Sequence, residues 1–223
     1  MSDGVIISAR MGSSRYPGKV IAPLGGKPVI DHVIDRALEV FGQDQVLVAT
    51  TAERSDDPLV THVEKRCAVY RGSTGNVLHR LVCASKVLGA SWIVRLTGDC
   101  PLLDPRVLRF MTLKPRDGFH YIGRSNSPDG TDVELVSVEA LDMAYRSCTH
   151  NEVEHPLAWI RKHLPCDSVE SDPNYRDVHY SVDSVEQLKL CERLLKICGE
   201  GARYEDHVQT IRRLANERHQ AVA

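Results

Sequence analysis

Short apolar runs and segments with helical spacing alternate along the first hundred residues. The apolar runs predict strands at residues 4–9, 45–50, 68–70 and 91–96, and the helical spacing predicts helices opened by Lys27–Pro28, at 58–67 and at 77–88. Such alternation is typical of an α/β domain whose sheet is largely parallel and flanked by helices.

The pattern changes beyond residue 117, where no further strand–helix unit repeats. Alternating or continuous apolar residues predict strands there at 118–122, 131–137 and 178–182. Apolar residues at helical spacing predict helices at 138–148, 151–163, 184–198 and 204–219. No internal repeat or low-complexity tract interrupts the chain. We therefore expect one domain spanning residues 1–223.

Composition narrows the function classes without naming one. The 223 residues are 42% hydrophobic and 26% charged, with a formal net charge of -2, so a broad nucleic-acid footprint is not expected. No apolar run reaches the length of a membrane span and no signal peptide is recognised, which favours a cytoplasmic protein. The seven cysteines lack close pairs, which favours reduced thiols over a zinc site.

The segment ISARMGSSRYPGKV directly follows the first predicted strand. It combines glycines and serines with Arg10, Arg15 and Lys19, so its backbone N–H groups and its cations can surround an anion. An ordinary solvated loop is the alternative. The position after a strand of an α/β sheet favours a phosphate-rich ligand, although the segment has neither the P-loop ending nor the dinucleotide spacing.

Two aspartates follow other predicted strands. Asp99 lies in a turn after residues 91–96, and Asp183 lies between the strand at 178–182 and a helix. Either one can simply form a turn or cap a helix. We prefer a ligand role for Asp99 because its strand should end beside the basic loop.

Acidic residues also mark the second half of the chain. Asp132 and Glu134 alternate with apolar residues and should share one strand face, which is either a solvent face or a binding face. Glu154 and His155 are consecutive and diverge on a helix, so capping or substrate contact is preferred over a metal site.

Five segments together resemble a known family. They read SARMGSSRYPGKVIAPLGGKP, VYRGSTGNVLHR, VRLTGDCPLLDP, GTDVEL and HYSVDSVEQL, and they cover most of residues 4–195. They resemble the cytidylyltransferases that include the spore coat polysaccharide biosynthesis protein F group and the acylneuraminate and 3-deoxy-manno-octulosonate enzymes.

The resemblance implies a Rossmann-like nucleotidyltransferase fold of the GT-A type, with a mostly parallel mixed sheet and a small arm for homodimer formation. Residues of about 117–177 would form an acceptor-binding and dimerisation portion before the last core strand. The residues implied to bind nucleotide are Ala9, Arg10, Gly12, Ser13, Ser14, Arg15, Lys19, Arg71, Arg80 and Thr97.

The implied chemistry is the Mg²⁺-dependent transfer of CMP from CTP to a small-molecule acceptor. Arg10, Lys19 and Asp99 would be catalytic, and Asp99 and Asp183 would bind the metal. The implied acceptor-side residues are Asp132, Glu134 and His155.

Departures from the family pattern, such as Asn76 in place of an acid and Ser181 in place of an aspartate, leave the acceptor open. Transfer from another nucleotide such as GTP, and nucleotide binding without catalysis, remain alternatives.

Overall fold

The computed structural model describes residues 3–149, 156–171 and 175–222. The strands are β1 (Asp3–Ser8), β2 (Pro23–Leu24), β3 (Lys27–Pro28), β4 (Val46–Thr51), β5 (Ala68–Gly72), β6 (Trp92–Thr97), β7 (Tyr121–Ser125), β8 (Glu134–Ser137) and β9 (Cys166–Glu170). The helices are α1 (Val29–Leu38), α2 (Asp57–Val63), α3 (Val77–Leu88), α4 (Pro105–Thr112), α5 (Val138–Ser147), α6 (Pro156–His163), α7 (Val185–Cys198) and α8 (Tyr204–Val222).

Seven of these strands form one mixed sheet in the order β5-β4-β1-β6-β8-β7-β9. The pairs among β5, β4, β1 and β6 are parallel, whereas β8 runs antiparallel to both β6 and β7. Ser8 pairs with Ala49 on one side and with Thr97 on the other, so three parallel strands end at one edge of the sheet. This confirms the predicted mostly parallel α/β architecture and places three strand-to-loop junctions side by side.

Hydrophobic clusters cover both faces of the sheet. Ile7 packs with α1 and α4 on one face, and Ile6 packs with α3, α5 and α6 on the other. Successive strand residues point to opposite faces, so an uninterrupted apolar run is what a central strand covered by helices requires. A third cluster, around Tyr180, joins α7 and α8 to the β2–β3 hairpin.

The helix after the glycine-rich loop begins later than predicted. Lys27 and Pro28 form strand β3, which pairs with β2 across Gly25 and Gly26, and α1 starts at Val29. Both glycines have positive φ values of 57° and 93°, which a two-residue hairpin turn of this kind requires. The glycine pair therefore specifies a small hairpin.

The strand predicted at 178–182 is not a strand. Within the described residues this segment has one isolated bridge, between His179 and Asp129, while the N–H of Val182 donates to the carbonyl of Asp99 at 2.7 Å. Val178, Tyr180 and Val182 are buried at alternate positions in the third cluster. The alternation thus records an extended chain packed on helices instead of a sheet pairing.

Other boundaries differ locally from the predictions. The strand predicted at 131–137 begins only at Glu134, and the one predicted at 118–122 is displaced to Tyr121–Ser125. Helix α4 and strand β9 were not predicted, and residues 151–155 of the predicted helix at 151–163 lie outside the described residues. Among the helices that the structure describes, none is both long and apolar enough to cross a membrane.

Candidate functional site

A cavity of about 310 Å³ opens where β1 and β6 end. Open α/β sheets bind ligands at this edge because the loops after neighbouring parallel strands diverge there. Its lining consists of Ser8, Ala9, Arg10, Gly12, Ser13, Ser14, Arg15, Lys19, Val20, Val77, Arg80, Arg95, Thr97, Asp99 and Asp183. The structure therefore brings together the basic loop, Arg80, Thr97 and both predicted metal-binding aspartates.

The basic loop is closed at its base by backbone contacts. The N–H of Gly18 donates to the carbonyl of Met11 at 2.9 Å, and Gly18 has a φ of 75°, which favours glycine. Gly98 approaches the start of the loop so closely that a Cβ there would lie 2.7 Å from the Cβ of Ala9. In contrast, a Cβ at Gly12 would meet nothing within 4 Å, so the backbone at this point is open to a ligand.

Asp56, which the sequence analysis missed, contacts the same loop from the short helical turn that follows β4. Its buried carboxylate accepts hydrogen bonds from the backbone N–H of Met11 at 2.7 Å, the hydroxyl of Thr50 at 2.7 Å, and both the N–H and hydroxyl of Thr51 at 3.0 and 2.5 Å. Burial alone would raise the pKa of Asp56, but these hydrogen bonds outweigh burial and lower this pKa. The sequence signal for Asp56 was an acidic residue shortly after β4, a strand that ends at the same edge of the sheet as the cavity.

Lys19 lies between the two aspartates that were predicted to bind metal. Its Nζ is 2.5 Å from Oδ2 of Asp99 and 2.7 Å from Oδ1 of Asp183, although the aspartates are 80 and 164 residues away in sequence. Arg15 reaches the other oxygen of Asp183 at 2.9 Å. Burial opposes the charge of Lys19, yet the attraction of the two carboxylates prevails and raises its pKa.

Asp99 lies in a turn, as predicted, but neither Asp99 nor Asp183 caps a helix. Ser184 caps α7 by accepting from the N–H of Gln187, and Asp104 caps α4 by accepting from the N–H of Arg106. The carboxylates of Asp99 and Asp183 instead face the cavity.

The two carboxylates suit a hard divalent cation. They converge on one point, and Mg²⁺ is typically held by one or two carboxylates together with substrate phosphates and water. Among the described residues there is no group of three or more acidic, histidine or cysteine side chains arranged to hold a metal. A cation at this point would therefore need oxygen ligands from outside the protein.

A buried arginine and a half-buried arginine also line the cavity. Arg80 is 4% exposed and donates to the carbonyl of Ser73 at 2.5 Å, while Arg95, also missed from the sequence, donates to Glu134. The Nε of each arginine is buried without a hydrogen-bond partner in the described part of the chain. Burial, followed by the charge of Arg10, lowers the pKa of Arg80. Both guanidinium groups line the cavity and can donate hydrogen bonds to a ligand oxygen. An arginine inside an otherwise apolar strand was the sequence signal for Arg95.

Arg71 lies outside the cavity lining. Its guanidinium group donates to the carbonyls of Thr51 at 3.2 Å and Glu53 at 2.8 Å, and it pairs with Asp57 at 2.7 Å. Because β5 pairs with β4, this side chain reaches the turn that follows β4. In this structure Arg71 joins two elements of the fold.

Two of the predicted acceptor-side residues, Asp132 and Glu134, do not line this cavity. The carboxylate of Glu134 is engaged by Arg95, by the hydroxyl of Tyr121 at 2.9 Å and by Arg161 at 3.5 Å. Asp132 precedes β8 at the surface, and it does not line the cavity. His155 lies outside the described residues.

Asp132 nevertheless has an unusual proton affinity. Although its side chain contacts solvent, the surrounding protein atoms, followed by the charges of Glu134 and Asp129, raise the pKa of Asp132 to about 6.

Comparison with known proteins identifies relatives along nearly the whole chain. A family model described as Cytidylyltransferase matches residues 4–212. The chain is 34% identical over 208 residues to the spore coat polysaccharide biosynthesis protein SpsF of Bacillus subtilis (strain 168), covering 87% of each chain. It is 30% identical over 208 residues to the 3-deoxy-manno-octulosonate cytidylyltransferase of Escherichia coli, covering 83% of this chain and 82% of that protein.

Solved structures agree on the fold. A cytidylyltransferase from Leptospira borgpetersenii serovar Hardjo-bovis (strain JB197) superimposes with a TM-score of 0.90 at 25% identity, covering 97% of this chain and 96% of that one. The CMP:2-keto-3-deoxy-manno-octonic acid synthetase complexed with CTP gives a TM-score of 0.67 at 20% identity, covering 88% and 99%. The predicted nucleotidyltransferase fold is thereby confirmed.

Proposed function

The chain belongs to the cytidylyltransferase family, and on that premise we propose that it transfers CMP from CTP to a sugar-like acceptor, with bound Mg²⁺ and release of pyrophosphate. The observation that carries this proposal is the convergence of Lys19, Asp99 and Asp183 beside an anion-binding loop. Nucleotidyl transfer needs positioning and charge stabilisation above all, and these groups supply both.

The donor triphosphate fits the basic loop. The open backbone at Gly12 and the hydroxyl groups of Ser13 and Ser14 line the cavity. Among the described residues Arg10 makes no ion pair, so its charge is available for a phosphate. Arg15 and Lys19 add two further cations on the side of the aspartates.

Asp99 and Asp183 would hold Mg²⁺, which when bound would neutralise phosphate charge and help to orient the triphosphate. An acceptor oxygen would attack the α-phosphorus in line, forming an oxygen–phosphorus bond as the bond to pyrophosphate breaks. Arg10 and Lys19 stabilise the charge that develops on the departing pyrophosphate.

The acceptor class is proposed from the named relatives. One of them takes part in spore coat polysaccharide biosynthesis and another is named for 3-deoxy-manno-octulosonate. A sugar or sugar-like molecule with an acidic, phosphorylated or phosphonate group is therefore the proposed acceptor, with a role in surface polysaccharide or related biosynthesis. Asp132 and Glu134 would contact its polar groups, either directly or through Arg95, and we propose a homodimer as the working assembly.

Pyrophosphate release tests the proposal. Wild-type protein is incubated with Mg²⁺, one of CTP, GTP, UTP or ATP, and a panel of sugar acids, sugar phosphates and phosphonates. We expect release with CTP that requires both an acceptor and Mg²⁺. Preference for GTP would replace the proposed donor, and CTP binding without release for any acceptor would favour a non-catalytic binding protein.

A further inference from the structure

The Lys19 ammonium group occupies the point at which the two aspartates of the donor site converge. Its Nζ lies 2.5 Å from Asp99 and 2.7 Å from Asp183, so a single ammonium group is paired with both carboxylates. Only 11% of the Lys19 side chain is exposed, so its charge is poorly screened by solvent. This is the point that a divalent cation would need.

An ammonium group and a divalent cation cannot share that point. Two like charges a few ångströms apart repel strongly inside a protein, and the carboxylate oxygens that face Lys19 are the ones that would bind the metal. Arg15 adds a second cation on the other oxygen of Asp183. Metal binding to the nucleotide-free protein is therefore opposed by two side chains.

We propose that Lys19 blocks the divalent-cation site until the nucleotide triphosphate draws the ammonium group away from Asp99 and Asp183. This inference rests on the proposed function, since it assumes that a triphosphate binds the basic loop. Lys19 belongs to that loop and directly follows Gly18, and its four-carbon stem is flexible. The metal and the nucleotide then enter the site together.

A permanent structural ion pair is the competing explanation of the same contacts. In that case loss of Lys19 would leave Asp99 without its cation and Asp183 with Arg15 alone, which would give a less stable protein with no gain in metal affinity. Metal affinity therefore separates the two explanations.

The experiment measures Mn²⁺ binding to nucleotide-free protein by electron paramagnetic resonance, because Mn²⁺ accepts the same oxygen ligands as Mg²⁺. We expect Lys19→Met to bind Mn²⁺ about ten-fold more tightly than the wild type, or better, because the competing charge has gone. Adding Asp183→Asn to Lys19→Met should abolish the gain. An unchanged Mn²⁺ affinity in folded Lys19→Met would overturn the proposal.

Lys27→Met is the matched control. Lys27 also contacts two carboxylates, at 2.7 Å from Asp35 and 3.3 Å from Glu200, but it does not line the cavity. Its removal should leave Mn²⁺ affinity unchanged, since Asp35 retains Arg66. An equal gain in both variants would show a general charge effect and overturn the proposal.

A comparison that needs no lysine variant covers the case in which Lys19→Met fails to fold. If Lys19 blocks the site, wild-type protein and Asp99→Asn should bind Mn²⁺ equally weakly without nucleotide. Tighter binding by the wild type would contradict the proposal.

These measurements involve no turnover, so the two proposals can fail separately. A gain in Mn²⁺ affinity without CTP turnover would support the block of the metal site by Lys19 and contradict the proposed reaction. Turnover that depends on CTP and Mg²⁺, without the gain, would remove only the block.

Discussion

The proposed donor end and the proposed acceptor end of this molecule are built in different ways. At this donor end, backbone groups and charged side chains from four segments meet around one cavity, and Met11 of the loop donates its N–H to Asp56 and accepts from the N–H of Gly18. At the acceptor end, Glu134 is engaged by neighbouring side chains and Asp132 lies at the surface. The proposed donor end thus depends on how the chain brings distant segments together, whereas the proposed acceptor end depends on a few side chains.

Removing a carboxylate from the donor end should have the largest effect. Asp99→Asn is expected to lower kcat by about 10²–10³-fold, the loss typical of removing one strong electrostatic contact to a reacting group. Circular dichroism should remain unchanged because the amide fits the same space. Retention of more than about a tenth of wild-type kcat would remove Asp99 from the catalytic centre.

Acid should lower the free energy of unfolding through His207, which packs on the segment that carries Asp183. His207 packs against Tyr180 in the third cluster, both of its ring nitrogens lack partners among the described residues, and burial lowers its pKa to about 4. The unfolded value is about 6.5, so the stabilising contribution is complete above pH 6.5 and is lost as pH falls towards 4. We expect the free energy of unfolding to drop by about 3 kcal/mol across this window.

Chemical denaturation at several pH values checks that expectation. In His207→Phe the drop between pH 6.5 and 4 should largely disappear. The pKa of buried His32 is also lowered and acts in the same direction, so the difference between wild type and variant isolates His207. An identical pH dependence in both proteins would contradict the assignment.

Removing the Asp56 carboxylate, which holds the basic loop, should weaken nucleotide binding more than it lowers kcat. Asp56→Asn replaces an acceptor oxygen by an N–H donor that faces other donors, so we expect the KM for CTP to rise about ten-fold, with a smaller change in kcat. Thr50→Val removes one donor to the same carboxylate and should raise this KM by less. Equal changes in the KM values for CTP and acceptor would indicate general destabilisation instead.

A substitution at the proposed acceptor end should have the smallest effect on the KM for CTP. Asp132→Asn is expected to change the KM for the acceptor several-fold and to leave the KM for CTP within about two-fold. In the wild type the acceptor KM should change as pH rises through about 6, where Asp132 ionises, and the variant should lose this dependence. A large effect on the KM for CTP would end the distinction between the two regions.

The sequence predicted which loops meet at this cavity because the signals for them are local. Continuous apolar runs such as Val5, Ile6 and Ile7 are typical of buried parallel strands, and the basic loop follows one of them directly. Parallel pairing then brings Asp99 to the loop without further information.

Other features depend on contacts that a local pattern does not contain. The alternation at 178–182 looked like a strand because an extended chain buried on one side has the same period. Arg71 was assigned to the pocket by resemblance, and pairing of β5 with β4 directs it to the backbone of Thr51 and Glu53. Asp56 gave no motif because its four donors come from three separate positions, one of them a distant backbone N–H.

A crystal structure with CTP and Mn²⁺ tests the central claim most directly, since Mn²⁺ can be located by its anomalous scattering. The account predicts triphosphate density along residues 10–19, a Mn²⁺ peak between Asp99 and Asp183, and Lys19 turned towards the phosphates. A nucleotide bound elsewhere, or a Mn²⁺ peak that contacts neither aspartate, would contradict it.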